Sequence, residues 1–547
     1  MIFGMSLKKS IAFVALLVGL VPIFWYFSLL HTYALNIPKW DDHGLRAFIE
    51  RVESAETLGQ VFQAFWRQHN EHRIVYDRII SFLNYTLTGK LNFVHLMWVG
   101  NASLLLLLVV WGKALQPYRS LAYLLPLPFL LFNLSQWENM YWGMAALQNF
   151  SVVAWVACGL YALSYHRTLG WAIGWGILAG ITSTNGLLLW PIGAVLLFLR
   201  SSRRKAWLWT GLGILFWILY FLYYNKTEQP TQPVTNKVLT FIRSVLLFSG
   251  SVAEPLWPRK STLVVLATGA LLVLAALGMT TQLSWKAWRS KLTSLDTFLL
   301  GMLAFVGGTT VMVAIGRMGF DEATFMTSRY KIYTILLAML VYTWLLMQVS
   351  TTVRKAIGIT ASVLGVAILL GCYSYFYDDT LRLRNQLLSM QFNWTYPRVP
   401  VKEPLINDPA PAWYDAYADD MIKGEFARWK PYPISLQPSA AYTLLTSEGV
   451  PTGKDFLDSY YLLRSLKKSY LVPFGFTTTT QPFASPTHEQ YIQPVSQTAV
   501  SHAEYEPGLY LVFVIRQTAT GSPRFYQTGR SIHIQPRPQT PALPQNW

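Results

Sequence analysis

The chain has 547 residues, of which 53% are hydrophobic, 15% aromatic and only 13% charged, with a formal net charge of +17. A soluble domain carries about 25% charged residues, so this composition excludes an ordinary soluble enzyme and points to a polytopic membrane protein. The positive charge excludes a nucleic-acid footprint by its distribution. It falls in short clusters between apolar segments (Lys8-Lys9, Lys113 with Arg119, Arg200 with Arg203-Arg204-Lys205, Lys286 with Arg289 and Lys291, Arg354-Lys355) and forms no continuous basic face.

In chain order, Lys8-Lys9 precede an apolar stretch, Ile11–Leu30, whose core is too long for a cleaved signal and lacks a small-residue cleavage site. It reads as a retained first helix with a cytoplasmic N-terminus, which leaves residues 31–91 outside with interfacial helices. Further spans are predicted at 92–111, 120–134, 149–165, 168–184, 186–199, 206–224, 262–283, 296–315, 331–349 and 356–376, about eleven in all. Every basic cluster then lies on the cytoplasmic side, and the odd number puts the C-terminus outside. Val238–Trp257 is apolar but broken by Arg243, Ser249-Gly250-Ser251 and Glu254, and is read as interfacial or re-entrant on the outer face, with a further span as the alternative. The turn Thr182–Gly186 joins two spans on that face and is read either as a cavity lining or as a plain hairpin. The two cysteines, Cys158 and Cys372, both lie in apolar segments and offer neither a disulfide framework nor zinc-ligand spacing.

The fold class is therefore an α-helical polytopic membrane module over residues 1–376, followed by an extracytoplasmic C-terminal domain over 377–547. In that domain Ala412–Trp429 and Gly453–Lys468 look helical. Gly508–Arg516 and Ser531–Gln535 alternate as paired strands around Gly521-Ser522-Pro523, and the last ten residues look frayed. A small α+β domain is expected.

Four clusters carry chemistry. Asp41 and Asp42, in Trp40-Asp41-Asp42-His43, follow the first span directly. One carboxylate there can serve as general base and its neighbour can hold an acceptor or a divalent cation, while a helix N-cap is the ordinary role for such a residue. In Gln68–Arg73, read as an interfacial helix, His69 and His72 share a face with Tyr76. Glu71 and Arg78 lie on another face, and such a helix, with Arg73 at its end, can present cations to a lipid phosphate and polar groups to a sugar; the His-x-x-His pair could instead ligate a metal, or the helix face is merely wet. Glu138 lies between Trp137 and Tyr141-Trp142, a setting for sugar hydroxyls and C–H faces, although aromatic residues are also ordinary belt anchors. In Gly316–Lys331, Arg317, Arg329 and Lys331 crowd an outer loop against the charge bias, with Tyr330 among them. The two-pronged guanidinium suits a phosphate.

These marks, in this order along the chain, resemble the GT-C superfamily of glycosyltransferases, which use sugars carried on a polyprenyl phosphate. The resemblance covers roughly the first 350 residues in layout. It rests on Trp40-Asp41-Asp42-His43, Gln68–Arg73 and Gly316–Tyr330, and it lacks an Asp-Glu pair and a Trp-Trp-Asp motif. It implies Asp41 or Asp42 as base, Glu138 as the second acidic loop, and Arg317 or Arg329 at the donor phosphate. It further implies a polyprenyl-phosphate-linked sugar donor, a glycan, lipid or protein acceptor, surrounding membrane lipids, and an inner-membrane location if the source is bacterial. Metal dependence stays open. An O-antigen-type polymerase or ligase and a lipid-linked sugar transporter or flippase are the rival classes.

Overall fold

A computed structural model describes residues 7–116, 121–165, 169–200, 202–225, 233–256, 262–395, 418–424, 429–447, 459–478, 492–494, 497–517 and 523–536. Arg119, residues 412–417 and 453–458, the 521–522 half of the expected turn and the last ten residues lie outside them. The described chain is mostly helical with a small C-terminal β region.

Five helices open the chain: α1 (Leu7–Tyr33), α2 (Asp42–Glu53), α3 (Leu58–Trp66), α4 (Val75–Thr88) and α5 (Phe93–Ala114). Among the described residues eight helices are long and apolar enough to cross a membrane. Seven of them reproduce expected spans, and the eighth is Lys237–Leu256. The other four expected spans fall short. Residues 120–134 break into Leu121–Leu124 and Pro126–Leu131, because Pro126 and Pro128 each remove a backbone donor. Gly170–Thr182 and Thr184–Leu199 are shorter apolar helices. At 1.5 Å per residue they fall below the roughly 30 Å hydrocarbon thickness. Arg203–Phe221 opens on three cations and is not in the set of eight.

Contacts sort the bundle into two ends. At one end the hydroxyls of Tyr33 and Tyr377 meet, His72 meets Thr184, and Gln68 meets Asn225. The opposite end gathers basic residues: Lys286 pairs with Asp296 at 2.9 Å, Arg200 donates to the carbonyl of Ser164, and Arg354 to that of Leu346. Lys237–Leu256 has apolar length enough to span, yet Arg243 pairs with Glu322, and Glu254 with Lys331 and Tyr375, all at the first end. It packs tightly on Thr262–Trp288. A Cβ on Gly250 would lie 1.9 Å from the carbonyl oxygen of Val265, and one on Gly269 2.0 Å from that of Leu246. Only glycine permits this backbone approach.

The composition change at Tyr377 is not a structural break. One helix runs for 45 residues from Thr351 to Thr395, about twice the length a bilayer needs. Its end meets α2, where Trp394 packs 4.6 Å from the Arg46 guanidinium and 5.7 Å from the His43 ring.

The β region carries β1 (Lys430–Pro431), β2 (Ile434–Pro438), β3 (Tyr442–Ser447), β4 (Ser459–Arg464), β5 (Ser469–Pro473), β6 (Phe476–Thr478), β7 (Ile492–Pro494), β8 (Gln497–Ser501), β9 (Gly508–Gln517) and β10 (Pro523–Ile534). They form sheets of order β1-β10-β9-β4-β5, β2-β3-β8 and β6-β7. The expected pairing of β9 with β10 is present and antiparallel, and Ala418–Lys423 is a short helix. The helix expected over Gly453–Lys468 is corrected, since its described part is β4 and a turn into β5. Tyr460 and Leu462 face the helix-side core while Tyr461 and Leu463 face the second sheet. A segment buried on both faces in alternation is served by an extended strand. Asn393 then fastens the sheet to the long helix, exchanging two hydrogen bonds with the backbone of Leu471 at 2.7 and 3.2 Å.

Candidate functional site

The site begins with a tight turn. Asp42 N–H donates to the Lys39 carbonyl at 2.9 Å, and Lys39 N–H donates to Asp42 Oδ2 at 3.0 Å. Between them Trp40 takes a left-handed φ of 43°, which is costly for a bulky side chain. Asp42 Oδ1 accepts from Met144 N–H at 2.8 Å, next to Gly143, whose missing side chain leaves room for it. Asp42 is completely buried, and that burial pushes its carboxyl up to about 7 against the two backbone donors, with the charge of Asp41 adding to the rise. Both its oxygens hold backbone in place.

Asp41 occupies the N-cap position of α2 but makes no side-chain cap bond. Its carboxylate, 35% exposed, lies 3.7 Å from Nε2 of the buried His69. Burial would raise its pKa, but hydrogen bonding and charge from His69, then the charges of Arg329 and His72, outweigh it and hold the group below the usual range. Asp41 is therefore ionised at neutral pH and reachable from solvent.

Gln68–Arg73 does not form the expected helix. His69 and His72 exchange backbone hydrogen bonds at 2.8 and 2.9 Å across a turn in which Asn70 has φ 48°. Gln68 bonds the carbonyls of Asn70 and Asn225 and accepts from Asn225 N–H, so contacts 157 residues away set the turn. His72 Nδ1 meets Thr184 Oγ1 at 2.8 Å, which makes the Thr182–Gly186 turn part of the site's wall. Burial chiefly lowers the His72 pKa, opposed by Glu71 and assisted by His69 and Arg317. Glu71 lies 3.9 Å from Arg317. Arg73 turns inward, its guanidinium donating to the carbonyls of Trp66, Tyr220 and Leu222. Each of its three nitrogens thus holds the fold.

Glu138 bridges two cations, Lys39 Nζ at 3.4 Å and Arg329 Nε at 3.5 Å, and its amide donates to Ser328 Oγ at 3.0 Å. Lys39 is a site residue that the sequence reading missed. Its buried ammonium lies 4.5 Å from the Trp40 ring centroid and 4.8 Å from that of Trp142, and desolvation lowers its pKa despite Glu138. Arg329 is 5.6 Å from the same Trp142 ring. The available signal was Lys39 immediately before Trp40, with a tryptophan-rich loop elsewhere in the chain.

Lys331 departs from the headgroup role expected for it. It is fully buried, paired with Glu254 and donating to the Ser251 carbonyl at 2.8 Å. Tyr330 packs on Phe248 at 5.6 Å, at the margin of the loop. Asp41, His69, His72, Glu71, Arg317, Glu138 and Arg329 thus come together at one end of the bundle, with Asp42 and Arg73 behind them as supports. Among the described residues no group of three or more His, Cys, Asp or Glu is placed to hold a metal ion. No protein-family model, curated protein or solved structure matches the chain.

Proposed function

We propose that this protein is a membrane glycosyltransferase of the GT-C kind, moving a sugar from a polyprenyl-phosphate donor to an acceptor at the site-bearing end of the bundle. The observation that carries the reading is the placement of Asp41: an ionised, partly exposed carboxylate against His69, with the Arg329 guanidinium near enough to be felt electrostatically. A general base beside a fixed cation is what transfer from a phosphate leaving group requires.

In this reading an acceptor hydroxyl gives its proton to Asp41 as its oxygen bonds the anomeric carbon. The carbon–phosphate-oxygen bond breaks with inversion, and the polyprenyl phosphate leaves with the electron pair. Arg329 and Arg317 offset the growing negative charge. Asp42 holds the turn that aims Asp41, and the half-exposed Trp40 ring offers a face for a sugar. Glu138 keeps Lys39 and Arg329 in place and has a carboxylate near the sugar hydroxyls.

The test is release of polyprenyl phosphate from a radiolabelled lipid-linked sugar by the purified full-length protein in lipid nanodiscs. Release coupled to acceptor labelling supports the proposal. Movement of intact lipid-linked sugar between leaflets without release would replace it with transport.

A further inference from the structure

A second site lies on the collar of α2, α3 and α4, and it does not depend on the sugar-transfer reading. We propose that this collar binds an anionic phospholipid of the bilayer, with the lipid phosphate at Arg67 and Arg51 and one acyl chain along the adjoining helix Arg203–Phe221.

The cationic part is built from four arginines. Arg78 is buried, and its Nη1 donates to the carbonyls of Phe65, at 2.8 Å, and Arg67. Arg73 donates to the carbonyl of Trp66. Both guanidinium groups are thus gathered under the C-terminal turn of α3, where Arg67 stands exposed. The Nε of Arg78 is buried with no hydrogen-bond partner among the described residues. The charges of Arg51, Arg67 and Arg73 all bear on Arg78, and each disfavours its ionisation. Neighbouring Asp77 gives little relief. It is fully buried, neither side-chain oxygen has a side-chain partner, and burial drives its carboxyl well above the usual range. Glu50 offsets Arg51 in part. Two guanidinium groups tied to the backbone of Phe65, Trp66 and Arg67 put positive charge at this helix end, which an anion would stabilise, and a guanidinium fork fits a phosphate.

The apolar part identifies which phosphate. α3 presents Leu58 at 89% and Phe62 at 65% exposure, and α4 exposes Leu83 and Leu87. An amphipathic pair of this kind lies in the headgroup–acyl boundary. The α3 end is also tied to the end of the helix Arg203–Phe221, since Arg73 donates to the carbonyls of Tyr220 and Leu222 and Gln68 bonds Asn225. About one turn below, Trp190, Pro191, Gly213, Ile214, Trp217 and Ile218 wall an apolar groove of about 400 Å³. A headgroup at Arg67 places a chain at that groove, which a free phosphate would leave empty.

Native mass spectrometry of the purified full-length protein, titrated with phosphatidylglycerol and with phosphatidylcholine, tests this. The parent should retain phosphatidylglycerol in preference. Arg67→Gln should weaken retention about fivefold, the effect of one cation near an anionic surface, and Arg67→Lys should keep most of it. Ile214→Trp, which fills the groove, should weaken retention without altering Arg67. Equal retention of both lipids, or no change in Arg67→Gln, overturns the proposal. Displacement of phosphatidylglycerol by equimolar undecaprenyl phosphate also overturns it, because the collar would then belong to the donor.

Discussion

Glu138→Gln leaves Lys39 charged and without its carboxylate in a place where water scarcely reaches. The Lys39 side chain is 5% exposed and that of Glu138 10%. Removing one member of a buried pair costs about 3–5 kcal/mol. Two features reduce that here: the contact is 3.4 Å long, and Trp40 and Trp142 still face the ammonium, an interaction worth about 1–2 kcal/mol. The Arg329 contact, whose cation is 38% exposed, adds less than about 1 kcal/mol after solvent screening. The expected loss is about 3 kcal/mol. Lys39→Met alone should also destabilise, because Glu138 is then buried with only Arg329. The double variant should lose clearly less than the two single losses summed, since a neutral Gln–Met pair leaves no uncompensated charge buried between the two positions. Equilibrium unfolding of the four proteins in mixed micelles, followed by tryptophan fluorescence, measures the cycle. If the single losses are each below about 1 kcal/mol and simply add, the two residues do not form a buried pair and the reasoning fails.

Asp42→Asn should flatten the dependence of stability on pH. With its carboxyl raised to about 7 in the fold from an ordinary 3.8, the folded state keeps a proton that the unfolded chain releases. That contribution is full below about pH 4 and lost by about pH 7. Melting temperatures of parent and variant across this range should converge or cross as pH rises; parallel profiles would contradict the shift. Gly250→Leu should abolish accumulation of folded protein, because its Cβ has no space against Val265; size-exclusion chromatography reads this directly, and a monodisperse variant would refute the packing. Trp394→Ala removes the ring that meets Arg46 and His43. It should speed hydrogen exchange in α2 and in residues 388–395 while leaving α5 unchanged, and uniform exchange across all three would deny the contact.

Hydrophobic runs made the membrane class and seven of the helices long and apolar enough to cross a membrane legible, because that signal is local and additive. Four other segments looked like spans for the same reason. One is broken at Pro126 and Pro128, two are short apolar helices, and the fourth opens on three cations. The long helix hid its length because Asp378-Asp379 and the charges after them read as an exit from the membrane, whereas a helix can continue into water when its end docks on Leu471 and Arg46. At the site, Asp41 and Glu138 stood out as acids in an apolar chain. The turn that aims Asp41 did not, since Asp42, which closes it on Lys39, is itself fixed by Met144, 102 residues on. His69 and His72 likewise owe their bridge to Gln68 holding Asn225. No helical period in the local sequence encodes that partner.

In the proposed reaction Asp41 takes the acceptor proton. Single-turnover transfer from a radiolabelled polyprenyl-phosphate sugar, in nanodiscs, should therefore be compared between the parent and Asp41→Asn at matched protein folding. The variant should lose about 10²–10⁴-fold in rate, the usual contribution of a general base, with donor binding retained. Transfer by Asp41→Asn at the parental rate would contradict it.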